Sequence, residues 1–371
     1  MREVEKKPGQ TATLRKGWTT GTCATAAARA AYEALLLRCF PASVAVTLPG
    51  GARPSFSLAL EELGEGFARV GVIKDAGDDP DVTHGALVIA RVSHGPPGSG
   101  ITFRAGEGIG TVTRAGLPLP PGEPAINPVP RRMITAAIEE TARLYDATGD
   151  VMVEISIPGG EDIAKRTLNA RLGIVGGLSI LGTSGIVVPY SCAAWIDTIH
   201  RGIDVARAGG LDHVAGSTGS ASEAAIKALH ELPDIALIEM GDFAGGMLKY
   251  LRTHPIPKVT IAGGFAKMTK LGQGLFDLHS KRGEVDLSWL AACCAEAGAN
   301  KAFAETVKTA HSAGEVLELA RAQGFDIAAP VAKAAWRTAA KPLRGSGITL
   351  EIAVFDRDSN LLARTPFLPV H

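Results

Sequence analysis

Gly263-Gly264-Phe265-Ala266-Lys267-Met268-Thr269-Lys270 is the stretch whose residue types could do the most chemistry. The apolar run at 258–262 leads into it, so a strand stops at a double glycine and turns into a helix. Backbone N–H groups at such a turn lie open to a ligand, and a helix start favours an anion. Lys267 and Lys270, three apart, share one side of that helix. Asp277 and His279 follow. The pattern suits an anionic or nucleotide-like ligand. On residue type alone, the lysines equally fit exposed helix charges, and His279 fits a satisfied core histidine.

A second concentration lies at Lys74-Asp75-Ala76-Gly77-Asp78-Asp79-Pro80-Asp81-Val82-Thr83-His84-Gly85. It reads either as an acid/base or cation-handling loop or as a solvated Asp/Gly/Pro turn. The EF-hand pattern fails because its last position is glycine, and no H-E-x-x-H occurs, so no dedicated metal site is expected. A P-loop and a G-x-S-x-G elbow are also absent from the sequence. Gly106-Glu107-Gly108-Ile109-Gly110 runs into Thr111-Val112-Thr113, which prefers strand, so it reads as a turn and not as a dinucleotide fingerprint. Ser217-Thr218-Gly219 and Gly241-Asp242 each end an expected strand, where hydroxyls, N–H groups and a carboxylate could meet a ribose. Asp242 reads equally as a helix cap.

The elements that must position these residues fall into two rhythms. Up to about residue 192, a helix over 19–37, short strands and a helix over 131–145 mix without strict alternation, which reads as α+β. Six prolines between 118 and 130 exclude regular structure there and suggest a rigid loop or lid. From 193 onward, three strand–glycine turn–helix units follow one another at 213–232, 235–252 and 259 onward. They imply an α/β Rossmann-like domain with a mainly parallel sheet, whose ligands bind at the carboxyl ends of the strands. The expected domains are therefore 1–192 and 193–371. A closing hairpin at 348–364 could pack on either.

At 371 residues, two domains are the natural prior. Equal acidic and basic counts, 38 each, argue against a general nucleic-acid binder. Five cysteines without a C-x-x-C pair point to reduced cytosolic thiols. The charged N-terminus shows no apolar signal segment. Residues 172–196 are uncharged and long enough for a bilayer, but their glycines and hydroxyls fit two strands and a loop better. A cytoplasmic protein, free of membrane and nucleic acid, is expected. The composition allows a homodimer.

Several strings, in order, carry a family resemblance: Gly17-Trp18-Thr19-Thr20-Gly21-Thr22-Cys23-Ala24, the loop at 74–85, Gly108-Ile109-Gly110-Thr111-Val112-Thr113, Glu123-Pro124-Ala125-Ile126-Asn127-Pro128-Val129-Pro130-Arg131, Gly176-Gly177-Leu178-Ser179-Ile180-Leu181-Gly182-Thr183-Ser184-Gly185-Ile186-Val187, Gly263-Gly264-Phe265-Ala266-Lys267 and His279-Ser280. Together they resemble the CbiD family of cobalt-precorrin-5B C1-methyltransferases of cobalamin biosynthesis. The resemblance implies S-adenosylmethionine as methyl donor, a cobalt-bound, partly contracted corrin precursor as acceptor, and cobalt-precorrin-6A as product. Under it, Ser217, Thr218, Gly219, Asp242, Gly263 and Gly264 are expected to border the donor. Lys74, Arg131, Arg132, Lys267 and Lys270 are expected to meet the acidic arms of the tetrapyrrole. Asp75, Asp78 and His279 are the candidates for the chemistry, with the 74–84 loop closing over the acceptor. The competing reading is a non-catalytic tetrapyrrole carrier, which needs no second small-ligand site.

Overall fold

The structure, a computed structural model, describes residues 14–280 and 282–371. The charged N-terminal stretch up to Thr13 lies outside the described residues. Two units emerge, one from residues 14–114 and 118–191, the other from 115–117 and 192–371.

In the first unit, β1 (Gly17–Trp18) precedes α1 (Thr20–Leu37). Thr19 caps this helix by accepting from Thr22 N at 3.2 Å, and its alanines let it sink into the core with Ala24, Ala27, Ala28 and Ala31 fully buried. The short β2 (Val44–Ala45) and β3 (Ser55–Phe56) pair with each other. Then come β4 (Leu60–Gly64), β5 (Phe67–Ile73), β6 (Leu87–His94), β7 (Ile101–Ala105), β8 (Thr111–Val112), α2 (Pro128–Leu144), β9 (Val151–Ser156), α3 (Gly160–Ala164), β10 (Ile174–Val175) and β11 (Ile186–Val187). The main sheet runs β4-β5-β6-β9-β7, antiparallel except for the β7–β9 pair. Alternating Val70, Val72, Val88, Val92, Val153 and Ile155 bury one face, in a core shared with α1 and with Ile134 and Ile138 of α2.

One local expectation needs correction, and one reading holds. The proline-rich stretch is not a lid. Ala125 and Ile126 are fully buried, and Ala125 N donates to Gly110 O at 2.8 Å while Ile180 N donates to Ala125 O at 2.7 Å. Its last prolines open α2, because a proline in the first helical turn gives up no intrahelical hydrogen bond. Residues 172–196 hold β10, β11 and the start of a polar-faced helix. Among the described residues no helix is long and apolar enough to cross a membrane.

The second unit starts with α4 (Cys192–Ala208), β12 (His213–Ser217), α5 (Ser220–His230), β13 (Leu237–Glu239), α6 (Ala244–Thr253), β14 (Lys258–Gly264) and α7 (Phe265–Gly272). Four helices follow: α8 (Leu287–Glu296), α9 (Lys301–Lys308), α10 (Ala313–Ala322) and α11 (Ala328–Leu343). The chain closes with β15 (Thr349–Phe355), β16 (Leu361–Arg364) and β17 (Leu368–Pro369). The sheet order is β13-β12-β14-β15-β16, with β17 also on β15. β12, β13, β14 and β15 are mutually parallel, and β16 and β17 are antiparallel to β15. The closing hairpin thus belongs to this unit, and its first strand is a fourth parallel strand.

Both faces of the sheet are covered, as a parallel sheet requires. Ala215, Ala262, Ala353 and Phe355 pack with Ile226 of α5 on one side. Val214, Val259, Ile261, Ile352 and Val354 pack with α6, α7 and α11 on the other. Chain order places β12 centrally, β13 on one side of it and β14 on the other. The direction of winding therefore reverses between β12 and β14, and a crevice opens at their carboxyl ends.

Candidate active site

A cleft of about 1230 Å³ lies at that end of the second unit. The turns after β12, β14 and β15 line it with Thr218, Gly219, Gly264, Lys267, Phe355 and Arg357, and α10 closes another side with Ser312, Glu315 and Arg321. Two helices begin at the cleft on glycine. α5 has Gly219 at its N-cap and α7 has Gly264, and neither has a side-chain cap. A side chain built at either glycine would find nothing within 4 Å. The backbone at both turns is therefore open to a ligand, and both helix ends carry partial positive charge.

Beneath these turns the packing is close. A Cβ at Gly263 would come within 2.6 Å of Met268 Cε and 2.7 Å of Thr218 Oγ1. Ser217, on the α5 face by strand alternation, is 1% exposed, and its Oγ has no hydrogen-bond partner. A buried hydroxyl without a partner is uncommon and marks a place where a further polar group can be accommodated.

The expected donor-site residues therefore divide. Thr218, Gly219 and Gly264 line the cleft, while Ser217 and Gly263 lie just under it. Asp242 does not line it. Its carboxylate is paired with Lys267 Nζ, and its carbonyl accepts from Leu278 N at 2.8 Å. Lys267 Nζ also donates to Leu278 O at 3.1 Å, and Lys270 Nζ reaches the same oxygen at 3.3 Å. His279 is exposed, its N–H donates to Asp277 Oδ1 at 3.1 Å, and it is not among the lining residues, although Ser280 is.

The first unit holds its own cluster. Arg15 forms a two-pronged pair with the Asp75 carboxylate, and Gly77 N donates to Asp75 at 2.9 Å. The Arg15 hydrogen bonds, then that of Gly77, hold the Asp75 carboxyl down at about 2. Asp78 accepts from Arg15 N at 2.6 Å. Lys74, 1% exposed, is paired with Asp81. Burial pushes the Asp81 carboxyl up, but Lys74 and the Thr83 hydrogen bonds outweigh it and hold it below its ordinary value. His84 Nδ1 accepts from Ala76 N at 3.1 Å. A carboxylate held near 2 is a weak base, which counts against Asp75 as a proton acceptor at neutral pH. Arg15 engages Asp75 and Asp78, Lys74 and Thr83 engage Asp81, and Asp79 accepts from Tyr190 N at 2.8 Å, so the loop's carboxylates are taken up by contacts within the first unit.

Arg131 is likewise engaged. Its Nε donates to Ile126 O at 2.8 Å, and its Nη2 donates to Glu123 at 2.8 Å and Pro124 O at 3.1 Å. It ties the proline loop to the start of α2. Arg132 is exposed. The motif at 17–24 and the one at 176–187 meet: Gly21 N donates to Leu181 O at 3.1 Å and Thr22 Oγ1 to Gly185 O at 2.7 Å. Their contacts satisfy the start of α1, so these hydroxyls serve the fold.

The cleft also contains residues that the sequence reading missed. Asp356, Arg357 and Asp358 follow β15, and Arg321 of α10 donates to Asp356 at 3.1 Å. The rule that picked out the other turns, the carboxyl end of a parallel strand, would have found them had β15 been read as parallel.

The CbiD family model matches residues 7–189, and the model of the CbiD C-terminal domain matches residues 277–366. A cobalt-precorrin-5B C(1)-methyltransferase from Bradyrhizobium sp. (strain BTAi1) is 65% identical over 351 residues, 95% of this chain and 93% of that protein. One of the same name from Agrobacterium fabrum is 60% identical, over 97% of this chain and 95% of that protein. A solved structure, a cobalamin biosynthesis protein (CbiD) from Archaeoglobus fulgidus, is 27% identical, covers 84% of this chain and 85% of that one, and has a TM-score of 0.39. With two family models and near full-length relatives at this identity, the chain belongs to the CbiD family.

Proposed function

We propose that the chain is a cobalt-precorrin-5B C(1)-methyltransferase that takes its methyl group from S-adenosylmethionine and yields cobalt-precorrin-6A. The activity follows from relatives of that name over 95% or more of the chain. The observation that carries the donor half is the cleft at the β12/β14 crevice, where two uncapped helices start on open glycines. We read this sheet as Rossmann-like, on its parallel strands and central reversal.

The donor supplies a sulfonium methyl that a nucleophilic ring carbon can attack, with S-adenosylhomocysteine leaving as the neutral thioether. Its charged amino-acid tail and ribose need N–H donors, hydroxyls and carboxylates. Thr218, Gly219, Gly264, the buried Ser217 Oγ and the cleft's Glu284 and Glu315 are groups of those kinds. In this reading the glycine turns let backbone approach the donor, while Asp242 acts through Lys267 and not by direct contact. Such a transfer gains mainly from holding the reactants at attack distance with water excluded, so no general base among Asp75, Asp78 or His279 is required of the geometry.

The test is turnover. Purified protein, cobalt-precorrin-5B and S-adenosylmethionine with a labelled methyl group should give a singly methylated corrinoid with the label on C1, together with S-adenosylhomocysteine. Unchanged tetrapyrrole, with the cofactor bound or unbound, would defeat the assignment.

A further inference from the structure

Lys270 is 7% exposed and lines the cleft. Its Nζ makes one long contact, 3.3 Å to Leu278 O. Among the described residues no carboxylate pairs with it. The two comparable lysines differ. Lys74, 1% exposed, has Asp81, and Lys267, three positions earlier, has Asp242. An ammonium withdrawn from water without a counter-charge is strongly disfavoured, and it has three donors to satisfy, of which Leu278 takes one.

Two helix starts near it add partial positive charge. The N-termini of α5, 11 residues, and α7, 8 residues, border the same cleft without side-chain caps. Of the five carboxylates that line the cleft, three already have partners in its wall: Glu315 accepts from His311 N at 2.7 Å, and Glu318 and Asp356 accept from Arg321 at 3.4 and 3.1 Å; Glu284 and Asp358 line it too, and neither is paired with Lys270. The partnerless Ser217 Oγ adds a donor beneath Thr218.

We propose that Lys270 is the counter-ion of a carboxylate carried by a bound reactant, held jointly by its ammonium and the N-termini of α5 and α7. The proposal rests on the methyl-transfer reading above. Both reactants bring such a group: the amino-acid tail of the donor and the acidic arms of the tetrapyrrole. The slight exposure of Lys270 admits only something narrow, such as a terminal carboxylate on a flexible arm.

Lys270→Met keeps the length and the apolar stem and removes the charge. Calorimetry would compare it with the parent protein on four probes: S-adenosylhomocysteine, 5′-methylthioadenosine (which lacks the carboxylate), cobyrinic acid and its heptamethyl ester. The expected result is a loss of about tenfold or more for one carboxylate-bearing probe, with its carboxylate-free partner within about twofold. A loss on S-adenosylhomocysteine assigns the site to the donor, and a loss on cobyrinic acid assigns it to the macrocycle. If all four bind the variant as they bind the parent, the proposal falls while the methyl-transfer reading stands. If the parent binds none of them, both fall together. Should the variant not fold, the parent and Lys270→Arg decide together: a carboxylate preference of about tenfold in either pair, present in the parent and retained by Lys270→Arg, supports the site, and no preference in either pair overturns it.

Discussion

Asp242 and Lys267, 25 positions apart, form an ion pair that closes on Leu278 from both sides: Asp242 O accepts its N–H at 2.8 Å, and Lys267 Nζ donates to its carbonyl at 3.1 Å. The pair separates two lysines that look alike in sequence. Lys267 spends its charge inside the protein, and Lys270 does not.

Asp242→Asn leaves Lys267 without its counter-charge and loosens the clasp on Leu278. We expect a loss of about 1–3 kcal/mol in stability, read as a lower urea midpoint, for a partly buried charged pair. Affinity for S-adenosylhomocysteine should change by less than about threefold, since Asp242 does not line the cleft. A large loss of affinity at unchanged stability would return Asp242 to the donor site.

The two glycines that end β14 should respond in opposite ways. Gly264 has φ −66°, and its side-chain position is open, so Gly264→Val should fold. Its new side chain occupies cleft space, and we expect S-adenosylhomocysteine affinity to fall by about tenfold or more. Gly263→Ala instead forces a Cβ within 2.6 Å of Met268 Cε and should cost about 1–3 kcal/mol of stability by overpacking. Thermal denaturation beside calorimetry separates the two effects, and a Gly264→Val protein that binds normally would move the donor elsewhere.

In the first unit, the Lys74–Asp81 pair predicts an asymmetry. Asp81→Ala strands the Lys74 ammonium at 1% exposure and should cost about 3–5 kcal/mol. Lys74→Met, which removes the charge and keeps the bulk, should cost clearly less. Chemical denaturation of both variants tests the ranking, and the reverse order refutes it.

His213 gives a pH dependence. Burial, then the neighbouring His230 and Lys258, bring its imidazole down to about 4. The folded protein keeps it neutral where the unfolded chain, with an ordinary value near 6.5, takes up a proton. Stability from this group is therefore complete above about pH 6.5 and declines as pH falls toward 4. Discounted for partial exposure, the effect is on the order of 1 kcal/mol. Melting temperatures between pH 7.5 and 5 should fall less steeply in His213→Gln than in the parent, and parallel slopes would remove His213 as the cause.

Much of the second unit could be read from its chain. The turns at Ser217-Thr218-Gly219 and Gly263-Gly264 announce strand ends because glycine there follows an apolar run, and both border the cleft. What could not be read depends on partners distant in sequence. Nothing near Lys267 reveals Asp242, 25 positions away. Residues 356–358 looked like a plain hairpin turn because residues 265–348 separate β15 from its neighbour β14. Pro128 and Pro130 counted against a helix in which the first turn accepts them. The hydroxyls at 19–22 and the glycines at 182 and 185 stood out as motifs, yet their shared task is the start of α1.

The position of β15 bears on how the protein is made. β14 finds its second parallel neighbour only after residues 265–348 have left the ribosome. Until then the apolar edge Lys258–Gly264 is open on one side, a state prone to pairing with other chains. The floor at Phe355 and the wall at Asp356–Asp358 do not yet exist. A nascent chain stalled before Thr349 would hold the glycine turns without the completed cleft, so anything bound in that cleft can stabilise this unit only once synthesis has passed β15.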